Sequence, residues 1–474
     1  MLPFSTSLLY AAQQKLPWVE PGSRLQAWCA QAGATALISD GGAHGRFSYL
    51  MAEPDATAEL ASHDDIAVFL KAVTAFVAPQ TAMDLPPFTG GLVGMAGFEL
   101  GLRLEHLPAA PFRIEGATAW PDLVVHRYPG VVAFDHHKQS LTVVGRGATL
   151  ETAEAARDRL ITLWQAALPL PAPTGALLDG PLRLETPDPV HEDKVAAVVS
   201  QIHAGDLFQA NLARGWTGRL KPGVTPAAVL AGLQAAGPAP FGAYVDLGTQ
   251  QNDHSKNTRR VIVSNSPERF IRLDHDGTLE TRPIKGTRPR GATPETDAIL
   301  ADELSHSLKD RAENLMIVDL MRHDLAKVSE VGSVTVPALN VLESYPNVHH
   351  LVSTVTARLK AGCSVADVLL ATLPAGSISG APKVQAMKVI SAMEAARGPY
   401  CGVLFAIDAG GAMDSSVLIR TIALEGGDPE TGKAGWNLRA AAGGGIVADS
   451  DPRDERIETE TKLSLIKRVL EGGA

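Results

Sequence analysis

One lysine is singled out by its setting. In TRPIKGTRPRG (residues 281–291) an apolar residue and a proline lead to Lys285, and Gly286 and Pro289 follow it. This reads as an extended segment that stops at a tight turn, with the lysine at the seam. An amine held there can meet a ligand, and it attacks one only when neutral. Arg282, Arg288 and Arg290 are the nearby positive charges that would favour the neutral form if they point inward. In SNSPERF (264–270), Glu268 follows Pro267. It reads as a buried acid with a raised pKa, or as a salt-bridge partner of Arg269 or Arg290.

Three further carboxylates fall on helical segments. Glu313 shares a side with Met316 and Leu320 in the run 304–328, so it is paired or binds a cation; Lys309, four residues earlier, is the simplest partner. Glu455, Glu458 and Lys462 share one face of the C-terminal helix by i, i+3, i+7 spacing. Two glutamates one turn apart plus a third from another helix would suit Mg²⁺, which keeps water and substrate oxygens as its other ligands. Glu458 and Lys462 also make an ordinary helix pair worth a few tenths of a kcal/mol.

Anion-binding groups are spread along the same half. Gly443, Gly444 and Gly445, between a strand and a helix start, can aim amides at an anion or form a plain turn. Ser377 or Ser379 in LPAGSISGAPK can meet a ligand or cap the next helix. Arg420 in MDSSVLIRT (413–421) reads as a strand arginine, an anion clamp or a sheet-edge residue. His349 and His350 enter a strand and face opposite ways, so one of them can face a site.

The elements that must position these groups alternate helices with antiparallel-looking hairpins. An α+β fold follows, with large, mostly antiparallel sheets packed as a sandwich and helices outside. Residues 1–168 form an N-terminal region, in which 122–145 reads as a meander; 169–189 is a proline-rich linker; 190–474 is the half that carries the chemistry. The stretch 240–274 reads as a hairpin with a polar tip at 249–260. A net charge of −10 over 474 residues argues against a nucleic-acid surface as the main business. Three scattered cysteines, Cys29, Cys363 and Cys401, fit a reducing compartment, and no apolar run is long enough for a membrane helix. The expectation is a cytoplasmic enzyme.

Taken in order, GDLFQANLAR, SNSPERF, PIKGTRPRG, KDRAENLMIVDLMRHDL, HHLVSTV, PAGSISGAPK, RGPYCG, IRT, AAGGGIVADSDP and ETETK resemble the chorismate-utilising enzymes over roughly residues 190–467. GRFSYL and PFTGGLVGMAGFELG resemble that family's N-terminal region. The resemblance implies Mg²⁺ on Glu313, Glu455 and Glu458, and a chorismate pocket of His350, Ser377, Tyr400, Arg420, Gly443, Gly444, Gly445 and Lys462. It implies Glu268 as the acid for the departing hydroxyl at carbon 4. Lys285, and glutamine rather than lysine at Gln209, are similar to the aminodeoxychorismate synthase branch. There the lysine adds covalently at carbon 2 before ammonia adds at carbon 4. The anthranilate synthase branch usually has alanine at the lysine position, and a non-catalytic chorismate- or tryptophan-binding subunit is a third reading. None of the cysteines has an amidotransferase setting, so the resemblance implies a separate glutamine amidotransferase subunit as ammonia source. It also implies a tryptophan pocket near Ser39, Arg46, Phe47 and Phe241. His323 and Gly237 stand where the family usually has asparagine.

Overall fold

Among the described residues, period-two and fully apolar runs become two sheets, of 12 and 10 strands, paired antiparallel throughout. The computed structural model describes residues 8–42, 45–77, 85–108, 110, 119–251, 257–345, 348–426 and 435–472. The central part of the larger sheet runs Thr35–Ile38, Phe241–Gln251, Asn257–Ser266, Thr421–Gly426, Trp436–Ile446, Gln209–Arg219. The smaller runs from Ile284–Pro289 through Val348–Arg358, Thr278–Thr281, Arg269–Leu273, Met413–Val417, Val403–Asp408, Gly91–Ala96 and Leu123–Tyr128 to Ala56–Glu59.

One buried cluster joins Met51, Val131, Val144, Val245 and Ile262 of the larger sheet to Val93, Met95, Val124 and Leu404 of the smaller. The two sheets therefore pack face to face, and each fully buried aliphatic side chain in that layer contributes about 1.5–3 kcal/mol. Helices cover the outer faces. Leu150–Ala166, Pro226–Ala236 and Pro452–Glu471 bury Leu163, Leu233 and Leu463 against the larger sheet. Leu308–Ala326 and Val365–Thr372 bury Met321 and Leu369 against the smaller. The expected α+β sandwich is the fold observed. No helix among the described residues is long and apolar enough to cross a membrane.

Each sheet is built from two blocks of strands, one from each side of the proline-rich stretch, that meet at one junction. Thr35–Ile38 pairs with Phe241–Gln251, and Gly91–Ala96 pairs with Val403–Asp408. The stretch itself is packed, with Leu177 and Leu178 buried and Arg183–Leu184 paired to Gln209–Arg219. Residues 122–145 do form three strands, but not one meander. Leu123–Tyr128 lies in the smaller sheet, and Gly130–Asp135 and Ser140–Gly147 in the larger. All three are buried nearly throughout because they are covered on both faces, so no change of pattern along the chain marks the crossing. Of the hairpin tip, Gln251 pairs with Asn257, and residues 252–256 lie outside the described residues.

Candidate active site

Two chain crossings between the sheets build one wall of the site. The strand Asn257–Ser266 ends in the larger sheet, and Arg269–Leu273 begins in the smaller, with Glu268 between them. Met413–Val417 and Thr421–Gly426 make the reverse crossing, with Arg420 at its corner. The crossings run side by side: the Val417 amide donates to the Glu268 carbonyl at 3.1 Å, and the Asn265 amide to the Arg420 carbonyl at 3.0 Å. Arg420 is thus not a mid-strand residue. Its φ of +50° lies in the left-handed region, which an apolar run cannot announce.

Glu268 is 6% exposed. Burial pushes its carboxyl up to about 7, against the pull of Ser377, Lys285 and Lys462. Ser377 sits in the short turn Gly376–Ile378, and its hydroxyl is used on Glu268 rather than to cap the following helix.

Lys285 lies inside a strand rather than at a turn. Ile284–Pro289 pairs with Val348–Arg358, and the register slips between Lys285 and Thr287. Gly286, at φ +80°, forms the bulge, so the strand kinks and continues. A turn and a glycine bulge use the same residue type, which is why the sequence did not separate them. Lys285 Nζ stands 3.4 Å from Glu313 Oε2, both side chains 13% exposed. The three flanking arginines do not serve Lys285. Arg282 pairs with Glu343, Arg288 with Glu303 and Asp310, and Arg290 with Asp297.

The glycine triplet is also strand, within Trp436–Ile446, paired through Gly445–Asn211 and Gly443–Ala213. Its value is bareness rather than a turn. A methyl built on Gly444 would stand 2.7 Å from Glu455 Oε2, and one on Gly445 would stand 2.8 Å from Lys285 Nζ and 3.0 Å from Gln209 Nε2. Carboxylates and amine thus approach the strand as only glycine permits.

Lys285 and the three acids meet around this strand. Asp451 caps the helix that carries Glu455 and Glu458, and Gly472 ends it. Lys309 lies 3.7 Å from Glu455, not on Glu313 as its spacing suggested; Lys462 lies 2.6 Å from Glu458 and donates to the Gly443 carbonyl at 2.8 Å. Burial raises the Glu455 carboxyl, the Ser450 hydroxyl at 2.6 Å draws it down, and Glu458 adds to the rise. As placed, the acids face lysine side chains, and no three His, Cys, Asp or Glu among the described residues form a closed ligand set. Glu455 Oε2 is nonetheless buried without a hydrogen-bond partner. Hard oxygen donors with one orphaned carboxylate oxygen fit a hard divalent cation.

On the strand paired with Ile284–Pro289, His350 is buried, its Nδ1 2.9 Å from Thr287 Oγ1. Burial, then Arg420, lowers it to about 4, so it is neutral at pH 7. His349, facing the other way, is bound to Ser344 and Asp297 and is structural. Arg420 has no hydrogen-bond or ion-pair partner among the described residues, and burial lowers its pKa. A part-buried guanidinium left unpaired beside a neutral histidine calls for an anionic ligand. Tyr400 is buried in the turn after Arg397. Gln209 is fully buried, and neither polar atom of its amide has a partner.

The remaining candidates lie in and around the N-terminal region. Ser39 donates to the Gly45 carbonyl, Arg46 pairs with Asp135, Phe47 stacks on Tyr49, and Phe241 lies under Arg269. His323 is exposed on the helix that carries Glu313. Sequence reasoning missed Arg397 and paired Lys309 with the wrong glutamate. Lys309 is an ordinary i−4 neighbour of Glu313 in sequence, and only the fold brings it to Glu455.

A model of the chorismate binding enzyme family matches residues 34–468. The chain belongs to this family. Among chorismate-binding relatives, aminodeoxychorismate synthase component 1 of Klebsiella aerogenes is 38% identical over 447 residues, 90% of this chain and 91% of that one. The protein of the same name from Salmonella typhimurium is 40% identical over 395 residues, 83% and 79% of the two chains. Anthranilate synthase component 1 of Thermus thermophilus is 37% identical over 395 residues, 82% and 79%. The solved anthranilate synthase component I of Streptococcus pneumoniae superposes with a TM-score of 0.72 at 27% identity, covering 89% of this chain and 92% of its own.

Proposed function

We propose that this chorismate-binding enzyme acts in the cytoplasm and converts chorismate and ammonia, with Mg²⁺, to 4-amino-4-deoxychorismate, on the way to 4-aminobenzoate and folate. Ammonia comes from a separate glutamine amidotransferase subunit. The names of the relatives at 38% and 40% identity support the reaction. The observation that carries the reading is Lys285, with Nζ against Glu313 and over Gly445.

Arg420 and His350 hold a substrate carboxylate. Neutral Lys285 forms a bond to ring carbon 2 as the carbon 4 hydroxyl departs, taking the Glu268 proton and leaving as water. Ammonia then bonds to carbon 4, the double bonds shift back, and the Lys285–carbon 2 bond breaks. A base takes the surplus proton. Glu313, Glu455 and Glu458 would hold Mg²⁺, which supplies positive charge for a substrate carboxylate.

Lys285→Ala should lose most of the amination. Full activity would remove the covalent role and leave direct attack by ammonia. Anthranilate synthase is the second reading, favoured by the 37% identical relative. Product analysis with chorismate, ammonia and Mg²⁺, with and without an added lyase, separates the two. Fluorescent anthranilate with pyruvate release would overturn the first reading.

A further inference from the structure

We propose that Arg397 is the positioning residue of the substrate pocket, fixing the Ser377 turn, the Tyr400 turn and the Gln209 strand relative to one another. The proposal rests on the chorismate reading above. Arg397 is 2% exposed. Its Nε and Nη2 donate to the two Glu394 oxygens at 2.8 and 3.0 Å, and Glu394 also accepts the Ala213 amide at 2.7 Å. Nη1 donates to the carbonyl of Ile378, next to Ser377, at 3.1 Å. Nη2 reaches the carbonyl of Asn211, two residues beyond Gln209, at 2.7 Å. The guanidinium lies 4.6 Å from the Phe98 ring centroid and 5.9 Å from that of Tyr400.

The backbone beneath it is fixed from a distance. The Arg397 and Gly398 amides donate to the Glu99 carboxylate at 2.7 and 2.9 Å, and Arg439 donates to the Arg397 carbonyl at 3.1 Å. The Glu394 carboxylate takes two of the five guanidinium donors, and burial demands acceptors for the rest. The acceptors that meet this demand are carbonyls on two different segments, so satisfying the cation ties those segments together. A planar fork of five donors can serve one carboxylate and two carbonyls together, and an ammonium on a flexible stem cannot hold the same geometry.

Arg397→Lys keeps the charge opposite Glu394 and removes the fork. In the full chain with Mg²⁺ and free ammonia, KM for chorismate should rise about 10- to 100-fold while KM for ammonia stays put. A loss confined to kcat, or a fully active variant, with both KM values at the parent level, would show that Arg397 serves folding alone. If the lysine variant does not fold, Glu99→Gln loosens the same turn from outside the pocket. It should give a smaller rise in the same KM, and an unchanged KM overturns the proposal. A parent chain that binds chorismate without turnover would end the functional reading only; the dissociation constant then replaces KM, with the same rise expected. No binding of chorismate by the parent would end both.

Discussion

Glu268 shows how one residue trades stability for chemistry. Its carboxyl ordinarily loses its proton near 4.5 and here near 7, through burial. Between those values the folded chain keeps a proton that the unfolded chain has released. Stability therefore falls as pH rises from 4.5 to 7, and the full deficit, up to about 3 kcal/mol, stands above 7. Glu268→Gln should thus stabilise the protein at pH 9 in urea unfolding while losing the proton donor. In infrared spectra, the carboxylic C=O band that disappears in Glu268→Gln should fall to half near pH 7. Ser377→Ala removes a hydroxyl that lowers this pKa, so the midpoint should move up. A midpoint in the ordinary carboxylate range would remove Glu268 as the acid.

At the scale of elements, the bulge in Ile284–Pro289 sets where Lys285 points. Gly286 holds φ +80°, and a methyl there would also press on Leu304 at 2.7 Å and Asp310 at 2.9 Å. Gly286→Ala should cost about 1–2 kcal/mol from the left-handed backbone alone. It should also reduce activity about 100-fold, because a shift near 1 Å misplaces the amine. Gly223 is the control: it has φ +83° and nothing within 4 Å. Gly223→Ala should show only the thermal shift due to the left-handed backbone, smaller than that of Gly286→Ala, and normal turnover per folded molecule. Equal activity in the two variants would mean that the bulge does not aim Lys285.

Across the whole molecule, both sheets are completed by residues 1–168, which also supply Val93, Met95, Val124, Val131 and Val144 to the layer between them. A chain of residues 190–474 alone would expose two long strand edges and half of that layer, a template for aggregation. Expressed by itself it should be insoluble or lack near-ultraviolet dichroism, and supplying residues 1–168 in trans should improve its solubility. A soluble, monomeric 190–474 fragment with a cooperative melt would refute this view.

Much of the site was legible because its signals are local. The shared face of Glu455, Glu458 and Lys462 depends only on helix period, and the alternation of His349 and His350 only on strand period. The ordered motifs named the family and the residues that meet. Tertiary structure alone decided which lysine faces which carboxylate, where the chain changes sheets, and that a bulge and a bare strand stand where turns were expected. Lys309 reaches Glu455, and Glu99 reaches Arg397, across separations that no periodicity records. Such contacts are chosen by which apolar faces bury one another, and an apolar run has the same composition whichever sheet receives it.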